Sequence, residues 1–595
     1  MAVAPAPTYR FPEAHEGIQV NYCKNVTCPA FGVPELPNLT RRVPGSARKP
    51  GEYAQQGHSS LSLMKCACCD SHPPARSNKG IFEELTRLLA RLARPPEPCC
   101  PNEKCANAMV PCSNPGSYAK FGKTAAGSDR WRCNVCRKTF TGDGPSTLKQ
   151  RITHKNLDVF RLLVNKSPIK RICEITGLHP KVVYGKIDFI HRQCMAFSGK
   201  RERSLLEGQE LPKMYVAVDR QTHNVNWTSR KDRRNVQLNA IASADLASGY
   251  VFGFHVNFDP SLDPARVEAE AAKVGDLTKN EVDRQFARVW LHNDFVEAAR
   301  KSAVKRASKA SGGAGKGRGV DLLTGEITGV YAQAEDRIDI EVSDPFATDT
   351  TIPKLGMLVR EQYTMHGHFQ YLAKLLTGAP KVRLYMDQDS GIRAAFLAAF
   401  LERIKARTAD GWFVSILKET TIHDKERAVQ AARKSLEAAE AANPGLSRQQ
   451  LLELLMKAAM ASGTEVGQFG DKWVNHPLPN MSEPEKRLCW LTDMGDYDEE
   501  HAARLYLKGS LHAVDRFFMQ TRRLLSMAER SIATASTDRR MWHGYCAYRP
   551  ENLAKVLEIF RTYYNFCKVG KDKKTPAMRL GLARAAIPVE DILYF

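Results

Sequence analysis

Short apolar stretches that lead into acidic residues predict a sheet in the middle of the chain. Residues 214–218 are mostly apolar and lead into Asp219, which predicts a buried strand that carries a carboxylate to the edge of a sheet. Residues 236–245 and 250–256, separated by a turn at residues 247–249, predict an antiparallel pair of strands beside it. We therefore expect an antiparallel meander that begins with the strand of Asp219.

A second strand of the same kind lies far along the chain. Residues 382–386 lead into Asp387, and a helix is expected from about residue 392 to residue 406. Asp245 and Asp389 are possible substitutes among the acids of the site, but we interpret them as a hairpin cap and a turn residue, respectively. The pattern predicts a mixed α/β core in which Asp219 and Asp387 are the principal acids.

Helical periodicity precedes the predicted sheet. Residues 156–164 predict one helix, Ser167 and Pro168 are a typical helix start, and Gly177 supplies a tight turn before a helix that begins near residue 179. These features predict a helix-turn-helix. Its expected small core consists of Ile172, Ile175, Leu178, Val183 and Ile187.

Polar and basic side chains lie on the expected outer face of this helix-turn-helix. Lys181, Tyr184 and Lys186 would face the major groove of DNA. Lys170 and Arg171, in the preceding helix, are further candidates for DNA binding. A helical hairpin with no role in DNA binding is the alternative interpretation.

Two segments interrupt the predicted core. Residues 420–465 are strongly helical and predict an α-helical insertion, and another helical region is expected near residues 261–310. Residues 305–318 are too rich in glycine and basic residues to bury a core. We expect a solvated linker there, with contacts to the DNA backbone as the alternative.

The chain carries a large excess of positive charge. Lys and Arg number 87 against 65 Asp and Glu over 595 residues, which gives a formal net charge of +22. Such an excess attracts a polyanion, so nucleic acid is the expected partner. Hydrophobic residues make up 43%, which excludes wholesale disorder, and the length predicts roughly three to five domains.

The expected cellular compartment changes the meaning of the cysteines. The chain has neither a run of eighteen apolar residues nor a basic-then-apolar start, so we expect a cytoplasmic protein without a membrane partner. Thiols stay reduced in that compartment. The cysteines that cluster near the N-terminus are therefore candidate metal ligands.

These cysteines follow a repeated pattern, C-x-N-x-x-C-x4-V-P, that begins at Cys23 and again at Cys100. A second pair of cysteines follows each copy, and four thiolates in two tight turns suit tetrahedral Zn²⁺. We expect two zinc ribbons, with Cys68 competing with Cys69 in the first. The expected ligands are Cys23, Cys28, Cys66 and Cys69 for one ion, and Cys100, Cys105, Cys133 and Cys136 for the other. Buried cysteines without a metal are the alternative.

Acids at strand ends suit phosphoryl transfer on DNA. Two metal ions about 4 Å apart can activate an attacking oxygen and stabilise the leaving oxygen. Mg²⁺ (or Mn²⁺) prefers carboxylate oxygens as ligands. Asp219 and Asp387 are therefore expected to be catalytic ligands of magnesium, and a third acid is needed.

This arrangement resembles the DDE/D transposases and retroviral-type integrases, a family of ribonuclease-H-like enzymes. The resemblance rests on MYVAVD at residues 214–219, ASADLASGYVFGF at residues 242–254 and MDQDSG at residues 386–391. It covers roughly residues 97–260 and 360–595. A tyrosine-asparagine pair followed by a threonine-proline pair near the C-terminus also resembles the end of integrase-like cores.

The resemblance implies the position of the third acid. The family carries it on a late helix with a Lys or Arg seven residues later, which fits Asp515 and Arg522, with Arg523 beside them as another candidate for DNA binding. Glu529 is the alternative third acid. An apolar stripe is expected to pack this helix on the sheet, and it consists of Val514, Phe517, Phe518, Thr521, Leu524 and Leu525.

The expected fold is multidomain: a ribonuclease-H-like α/β core with helical insertions, preceded by two zinc ribbons and a helical helix-turn-helix domain. The expected segments are a first zinc ribbon (1–75), a helical linker (76–96), a second zinc ribbon (97–145), the helix-turn-helix (146–205), the first part of the core (212–260), an insertion with a basic linker (261–360), the second part of the core (361–419), an α-helical insertion (420–500) and the C-terminal helices of the core (501–595).

The resemblance implies a DNA transposase of the bacterial insertion-sequence kind. Such an enzyme binds double-stranded DNA at the ends of its element, usually as a homo-oligomer, and catalyses magnesium-dependent strand cleavage and strand transfer. Two alternatives stay open. One is a transposase-derived regulator that binds DNA without cutting it, and the other is a nuclease of the same fold that does not join strands.

Overall fold

The computed structural model describes residues 8–38, 47–58, 61–94, 97–124, 129–141, 147, 150–226, 235–298, 355–417, 421–467, 470–529 and 549–595. These residues form a mixed α/β protein with two compact units. Unit 1 consists of Met1–Leu88, Leu205–Arg523 and Met527–Ala554, and unit 2 consists of Leu89–Ser204, Leu524–Ser526 and Lys555–Phe595. In these described ranges, every helix is too short or too polar to cross a membrane.

Fifteen strands are present in the described ranges. They are β1 (Tyr53–His58), β2 (Leu61–Cys66), β3 (Tyr118–Lys123), β4 (Asp129–Cys133), β5 (Thr139–Thr141), β6 (Met214–Asn226), β7 (Asn235–Asp245), β8 (Val251–Val256), β9 (Phe258–Asp259), β10 (Met357–Leu358), β11 (Val382–Asp387), β12 (Ala409–Ile416), β13 (Thr464–Val466), β14 (Asp471–Asn475) and β15 (Lys486–Trp490).

The α-helices with both ends in the same ranges are α1 (Asn78–Leu89), α2 (Asn156–Leu163), α3 (Ile169–Thr176), α4 (Pro180–Leu206), α5 (Pro264–Lys273), α6 (Glu361–Leu375), α7 (Ser390–Ala399), α8 (Leu401–Lys405), α9 (Ile422–Ala442), α10 (Arg448–Ala461), α11 (Glu499–Leu507), α12 (His512–Leu524), α13 (Pro550–Phe566), α14 (Pro576–Leu580) and α15 (Val589–Leu593). Residues 292–298 are helical as well.

An eight-stranded mixed sheet dominates unit 1, in the order β13-β14-β15-β12-β11-β6-β7-β8. The central strands β6, β11 and β12 are parallel, whereas β7 and β8 continue from β6 as an antiparallel meander. The parallel strands are nearly continuous apolar runs because both of their faces are buried. The predicted mixed core and its meander are confirmed.

The first strand of the meander is longer than expected. Its second half alternates the buried Gln221, His223 and Val225 with the exposed Thr222 and the half-buried Asn224. Because two of those buried side chains are polar, the alternation did not stand out as an apolar pattern. At the far end of β7 the carboxylate of Asp245 accepts hydrogen bonds from the backbone nitrogen (2.7 Å) and hydroxyl (2.6 Å) of Ser248, as expected of a hairpin cap.

The insertion between the second and the third acid is only partly helical. α9 and α10 form as predicted, and each begins with a capping box, at Thr421 and Ser447 respectively. The expectation of an all-helical segment is wrong for residues 464–490, where β13, β14 and β15 extend the sheet from β12. These strands are three to five residues long and interrupted by polar residues, so they carry little periodicity.

The earlier insertion is described only in part. α5 lies in the predicted helical region, and its first turn is capped by Asp263. The predicted basic linker at residues 305–318 lies outside the described residues.

Unit 2 contains a three-stranded antiparallel sheet, β3-β4-β5, and the predicted pair of helices α3 and α4. Gly177 adopts a left-handed conformation (φ 71°) at the turn between the helices, as its position predicts. Of the five residues expected in the small core, Ile175 is 63% exposed and the other four are buried. α4 also extends to Leu206, well beyond the expected hairpin.

A buried group of charged side chains ties α4 to α13 within unit 2. Arg561 is fully buried and forms ion pairs with Glu202 and Glu558, and Arg91 pairs with both of those carboxylates. Buried charges persist only when they are paired in this way, because desolvation of an isolated charge is costly.

Candidate metal centres and carboxylate site

The first predicted cysteine set comes together in unit 1. The possible ligand atoms of Cys23, Cys28, Cys66 and Cys69 all lie within 4.8 Å of one another. The Sγ atoms of Cys23 and Cys69 are 3.5 Å apart, and those of Cys28 and Cys66 are 3.9 Å apart. Tetrahedral ligands 2.3 Å from zinc would be about 3.8 Å apart, so this set can hold Zn²⁺. Cys68 lies outside the set, as predicted.

The second predicted set comes together in unit 2. Cys100, Cys105, Cys133 and Cys136 meet the same criterion, with Sγ separations of 3.4 Å between Cys100 and Cys136 and 3.7 Å between Cys105 and Cys133. Burial opposes ionisation of Cys133, but hydrogen bonds from the backbone of Cys136 and Val135 outweigh it and lower its pKa to about 6. This set too can hold Zn²⁺.

A tyrosine beside each cysteine set forms hydrogen bonds to the cysteine turn, and the repeated cysteine pattern did not identify it. Tyr53 begins β1 and pairs with Cys66, and its hydroxyl accepts a hydrogen bond from the backbone nitrogen of Cys23 (2.9 Å) and donates one to the carbonyl of Val33 (2.6 Å). That valine is the V of the repeated V-P, which this tyrosine ties to the first cysteine turn.

Tyr118 has the same role in unit 2. It begins β3, pairs with Cys133, accepts from the backbone nitrogen of Cys100 (2.9 Å) and donates to the carbonyl of Val110 (2.7 Å). The two ribbons are therefore duplicates in hydrogen bonding as well as in cysteine spacing. The available signal was the matching sequence G-x-Y-A around each tyrosine.

The first cysteine set is part of the packing of unit 1. It belongs to one buried cluster with Tyr22, Tyr53, Met64 and Val282, and Leu401 of α8 packs against that cluster. The hydroxyl of Tyr22 also donates to the carbonyl oxygen of Ala398 in α7 (3.4 Å). Loss of the first metal site would therefore loosen the layer that covers α7 and α8.

The two principal acids are neighbours in the sheet. Val218 of β6 pairs in register with Met386 of the parallel strand β11, so the next residues, Asp219 and Asp387, are adjacent on the two strands. Neighbouring strands lie about 4.8 Å apart and residues in register point to the same face. Asp219 is 7% exposed, and its Oδ1 accepts from the backbone nitrogen of Arg220 (2.6 Å).

The helix that carries Asp515 packs on the same face of the sheet. Asp219 pairs with Ala242 of β7, which pairs with Phe254 of β8, so the three side chains point to one face. The ring of Phe254 contacts those of Phe517 (5.1 Å between centroids) and Phe518 (5.8 Å), both on α12.

The predicted apolar stripe of α12 is largely buried. Val514, Phe517, Phe518, Thr521 and Leu525 are buried, and Leu524 is half-buried. Asp515 lies in the first turn of the helix and is half-buried at the border of this stripe.

Arg522 lies near β6. His223, four residues beyond Asp219 and on the same face, has its pKa lowered to about 3, first by burial and then by the positive charge of Arg522. Arg523 is exposed. The helix that carries Asp515 and Arg522 thus packs on the face to which Asp219 points.

The competing acids differ in how they are engaged. Asp389 caps α7 by accepting from the backbone nitrogen of Gly391 (2.7 Å), and its other oxygen pairs with Arg220 (2.7 Å). Glu529 follows a short 3-10 turn after α12 ends at Leu524, so one continuous helix does not separate it from Asp515.

The three acids are more widely spaced than the cysteines. Among the described residues, the groups of three or more possible ligands within 4.8 Å of one another are the two cysteine sets. Strand register places Asp219 beside Asp387, and the packing of α12 brings the helix of Asp515 to the same face of the sheet.

The residues expected to contact DNA fall into two groups. Lys170, Arg171 and Lys181 are exposed and Tyr184 is half-buried. Lys186 is the exception to the predicted outer face: it is 3% exposed, and its Nζ donates to the carbonyl of Ile152 (2.8 Å) and to Oδ1 of Asn156 (2.6 Å). A lysine that holds two protein acceptors inside unit 2 cannot also face a DNA groove, so that expectation is corrected.

No protein-family model matches the chain, and no curated protein matches it. The class of protein must therefore be inferred from the geometry of the acids, the cysteine sets and the charge.

Proposed function

We propose that the protein is a DNA transposase of the DDE/D kind, with Asp219, Asp387 and Asp515 as the catalytic ligands of magnesium. The observation that carries this proposal is the placement of Asp219 and Asp387 side by side on parallel strands, on the face where the helix of Asp515 packs. Carboxylate oxygens are the ligands that Mg²⁺ and Mn²⁺ prefer.

The strand arrangement supports a ribonuclease-H-like core. These five strands lie in the order β8-β7-β6-β11-β12. On one side of β6, the strands β7 and β8 form the antiparallel meander, and on its other side β11 and β12 run parallel to it. That is the arrangement expected of such a core, in which the first strand and its parallel neighbour each carry an acid. The helical and β insertions fall between these elements and leave the order unbroken.

The protein's own residues would orient the reacting DNA. Mg²⁺ held by Asp219, Asp387 and Asp515 would activate the attacking oxygen and stabilise the leaving oxygen at a phosphodiester. In the first step water would lose a proton and bond to phosphorus while the P–O3′ bond breaks, which leaves a 5′-phosphate and a 3′-hydroxyl. In the second step that hydroxyl would lose its proton and bond to a target phosphorus, and the target's own 3′-oxygen would take up a proton and leave as a hydroxyl. Arg522, on the same face as Asp219, is suited to contact a phosphate near the acids.

Charge and the modules of unit 2 support DNA as the substrate. The chain has a net charge of +22, and Lys170, Arg171 and Lys181 are exposed on α3 and α4. Side chains at such positions can contact phosphates or a major groove. Binding to the two ends of an element as a homo-oligomer is part of the same proposal.

The test is magnesium-dependent cleavage and strand transfer on double-stranded DNA that carries the sequences flanking its own gene. We expect the wild type to cut and join, and Asp219→Asn, Asp387→Asn and Asp515→Asn to bind this DNA without cutting it. Glu529→Gln is the matched control for the third acid and should stay active.

Each other outcome selects a different function. Binding without cleavage by the wild type would favour a transposase-derived regulator. Cleavage without joining would favour a nuclease. Loss of cleavage in Glu529→Gln, with activity retained in Asp515→Asn, would move the third acid to Glu529.

A further inference from the structure

Glu483 lies at the start of the helix that carries Asp515. This glutamate is 1% exposed, and its Oε1 accepts hydrogen bonds from the hydroxyl of Ser510 (2.6 Å) and from the backbone nitrogen of Leu511 (2.9 Å). Leu511 is the residue before α12 begins. A carboxylate that accepts backbone and hydroxyl hydrogens at a helix start satisfies donors that the helix itself leaves without partners.

Lys486 completes the arrangement. Its Nζ donates to Oε2 of Glu483 (2.9 Å) and to the carbonyl oxygen of Gly509 (2.6 Å). The Glu483–Lys486 pair therefore contacts three consecutive residues, Gly509, Ser510 and Leu511. Because both charges are buried, each depends on the other, and loss of one leaves an uncompensated charge.

The segment before α12 fits closely against β15. A Cβ added to Gly509 would lie 1.9 Å from a side-chain carbon of the buried Leu488, so a larger residue here would force that leucine to shift. The backbone at this point thus packs closely against β15. The Glu483–Lys486 pair and this close approach act on the same three residues.

The position of Asp515 follows from this segment. The backbone nitrogen of Asp515 donates to the carbonyl oxygen of Leu511 (3.0 Å), so the first turn of α12 begins on the residue that Glu483 holds. A rotation of Leu511 would rotate the turn that carries Asp515. The aromatic contacts of Phe517 and Phe518 orient the helix one turn later.

The insertion supplies both charged residues. Glu483 lies in the turn between β14 and β15, where Oδ1 of Asn480 accepts from the backbone nitrogens of Ser482 and Glu483 (2.9 Å each). Lys486 is the first residue of β15, which pairs with β12 of the central sheet. The extra strands therefore connect the sheet that carries Asp219 and Asp387 directly to the start of α12.

We propose that Glu483 is a positioning residue, which fixes the start of α12 through Leu511 and Ser510 and thereby places Asp515 against the acids of β6 and β11. The catalytic part of this role, the placement of Asp515, rests on the transposase proposal. The structural part, that Glu483 of the insertion orders the start of α12, is independent of that proposal. The two parts are tested by different measurements.

The test compares Glu483→Gln with Glu485→Gln in the full chain. Glu485 is exposed on the same turn and is the matched control, since both variants remove one carboxylate charge. Amide hydrogen exchange in peptides that span residues 505–520 measures the order of the helix start. We expect faster exchange there in Glu483→Gln and unchanged exchange in Glu485→Gln.

The second readout is the dependence of DNA cleavage on Mg²⁺ concentration. Misplacement of a metal ligand should raise the half-saturating concentration by about tenfold or more, the size of effect seen when a group that orients a ligand is removed. DNA binding through unit 2 should stay unchanged. A merely structural role would lower the amount of active protein without moving this concentration.

Ser510→Ala provides a milder variant if Glu483→Gln fails to fold. It removes the hydrogen bond from the Ser510 hydroxyl to Glu483 and the one that this hydroxyl accepts from the backbone nitrogen of His512 (3.1 Å), but it leaves the ion pair, so it should shift both readouts in the same direction by a smaller amount. Unchanged exchange in both variants would overturn the structural part. Faster exchange with an unchanged magnesium dependence would overturn the positioning role.

A wild type that never cuts DNA would overturn the transposase proposal, and with it the catalytic role of Glu483. The exchange measurement would still decide the structural part.

Discussion

Asp219 and Asp387 lie next to each other on parallel strands, one position beyond the pair Val218 and Met386. Two carboxylates that point to one face from neighbouring strands repel each other when both are ionised. A sheet keeps such a pair only at a cost to its stability, which is typical of functional sites.

Neutralising one of these acids should stabilise the metal-free protein. Asp219→Asn keeps the hydrogen bond that Oδ1 accepts from Arg220 and removes the repulsion. Without Mg²⁺ we expect its melting temperature to rise by about 1 °C for each kcal/mol relieved, because unit 1 is large. Mg²⁺ should raise the melting temperature of the wild type and leave that of the variant unchanged. Asp591→Asn, at an exposed acid, is the control, and a wild type insensitive to Mg²⁺ would contradict the prediction.

Metal analysis should find two zinc ions per chain. Cys28→Ser and Cys105→Ser each remove a ligand from one set and should reduce the content to one ion. Cys68 and Cys112 lie outside both sets, so Cys68→Ser and Cys112→Ser are matched controls that should keep two. Loss of zinc in Cys68→Ser with retention in a Cys69→Ser variant would exchange the two residues in the first set.

Substitution of Lys181 should affect DNA binding, whereas substitution of Lys186 should affect stability, although both residues lie on α4. Lys181 is exposed, so Lys181→Ala should weaken DNA binding and reduce the slope of log K against log salt by about 0.9 if one phosphate contact is lost. Lys186 is buried, and burial lowers its pKa.

Lys186→Met should therefore leave the salt slope unchanged and lower the melting temperature, because Ile152 and Asn156 lose their donor. Titrations with a DNA duplex at several salt concentrations measure the slopes. A reduced slope in Lys186→Met would restore this residue to the DNA-contacting face.

Unit 2 should lose stability in acid through Glu558. Burial opposes ionisation of this carboxyl, but the positive charges of Arg561 and Arg91 outweigh burial and lower its pKa below the ordinary value of 4.5. A lowered pKa in the folded state means that the carboxylate stabilises the fold above pH 4.5, and that this contribution is lost as the pH falls through the lowered pKa.

Urea unfolding between pH 6 and pH 3, followed by a probe in unit 2, measures this dependence. The midpoint should fall steeply in the acidic part of that range for the wild type. Glu558→Gln should be less stable at pH 6 and should show a shallower fall. Equal slopes for the two proteins would assign the acid sensitivity to other carboxyls.

Local chemistry made the cysteine sets and the strand acids predictable. The members of each cysteine set lie in tight turns of fixed spacing, and a strand that ends in an acid is visible as an apolar run, as at Asp219 and Asp387. The packing stripe of α12 was predictable for the same reason, because its apolar residues recur at the spacing of a helix within one short segment of sequence.

Other features depend on residues distant in sequence, and periodicity alone did not identify them. The side chain of Lys186 turns inward because Ile152 and Asn156 offer acceptors there, and Ile175 stays at the surface although its spacing fits the core. The strands β13 to β15 are short and rely on β12 for pairing. The role proposed for Glu483 depends on its contact with the start of α12, which lies far from it in the sequence.

The discontinuity of unit 2 sets the order in which the protein can fold during synthesis. Phe160 and Phe197 emerge from the ribosome early, yet their ring partners Tyr563 and Phe566 belong to the last helix-rich stretch, Lys555–Phe595. Until that stretch is made, these rings remain uncovered and are candidates for chaperone binding. A nascent chain therefore cannot complete unit 2 before the strands of unit 1, including those of Asp219 and Asp387, have been synthesised.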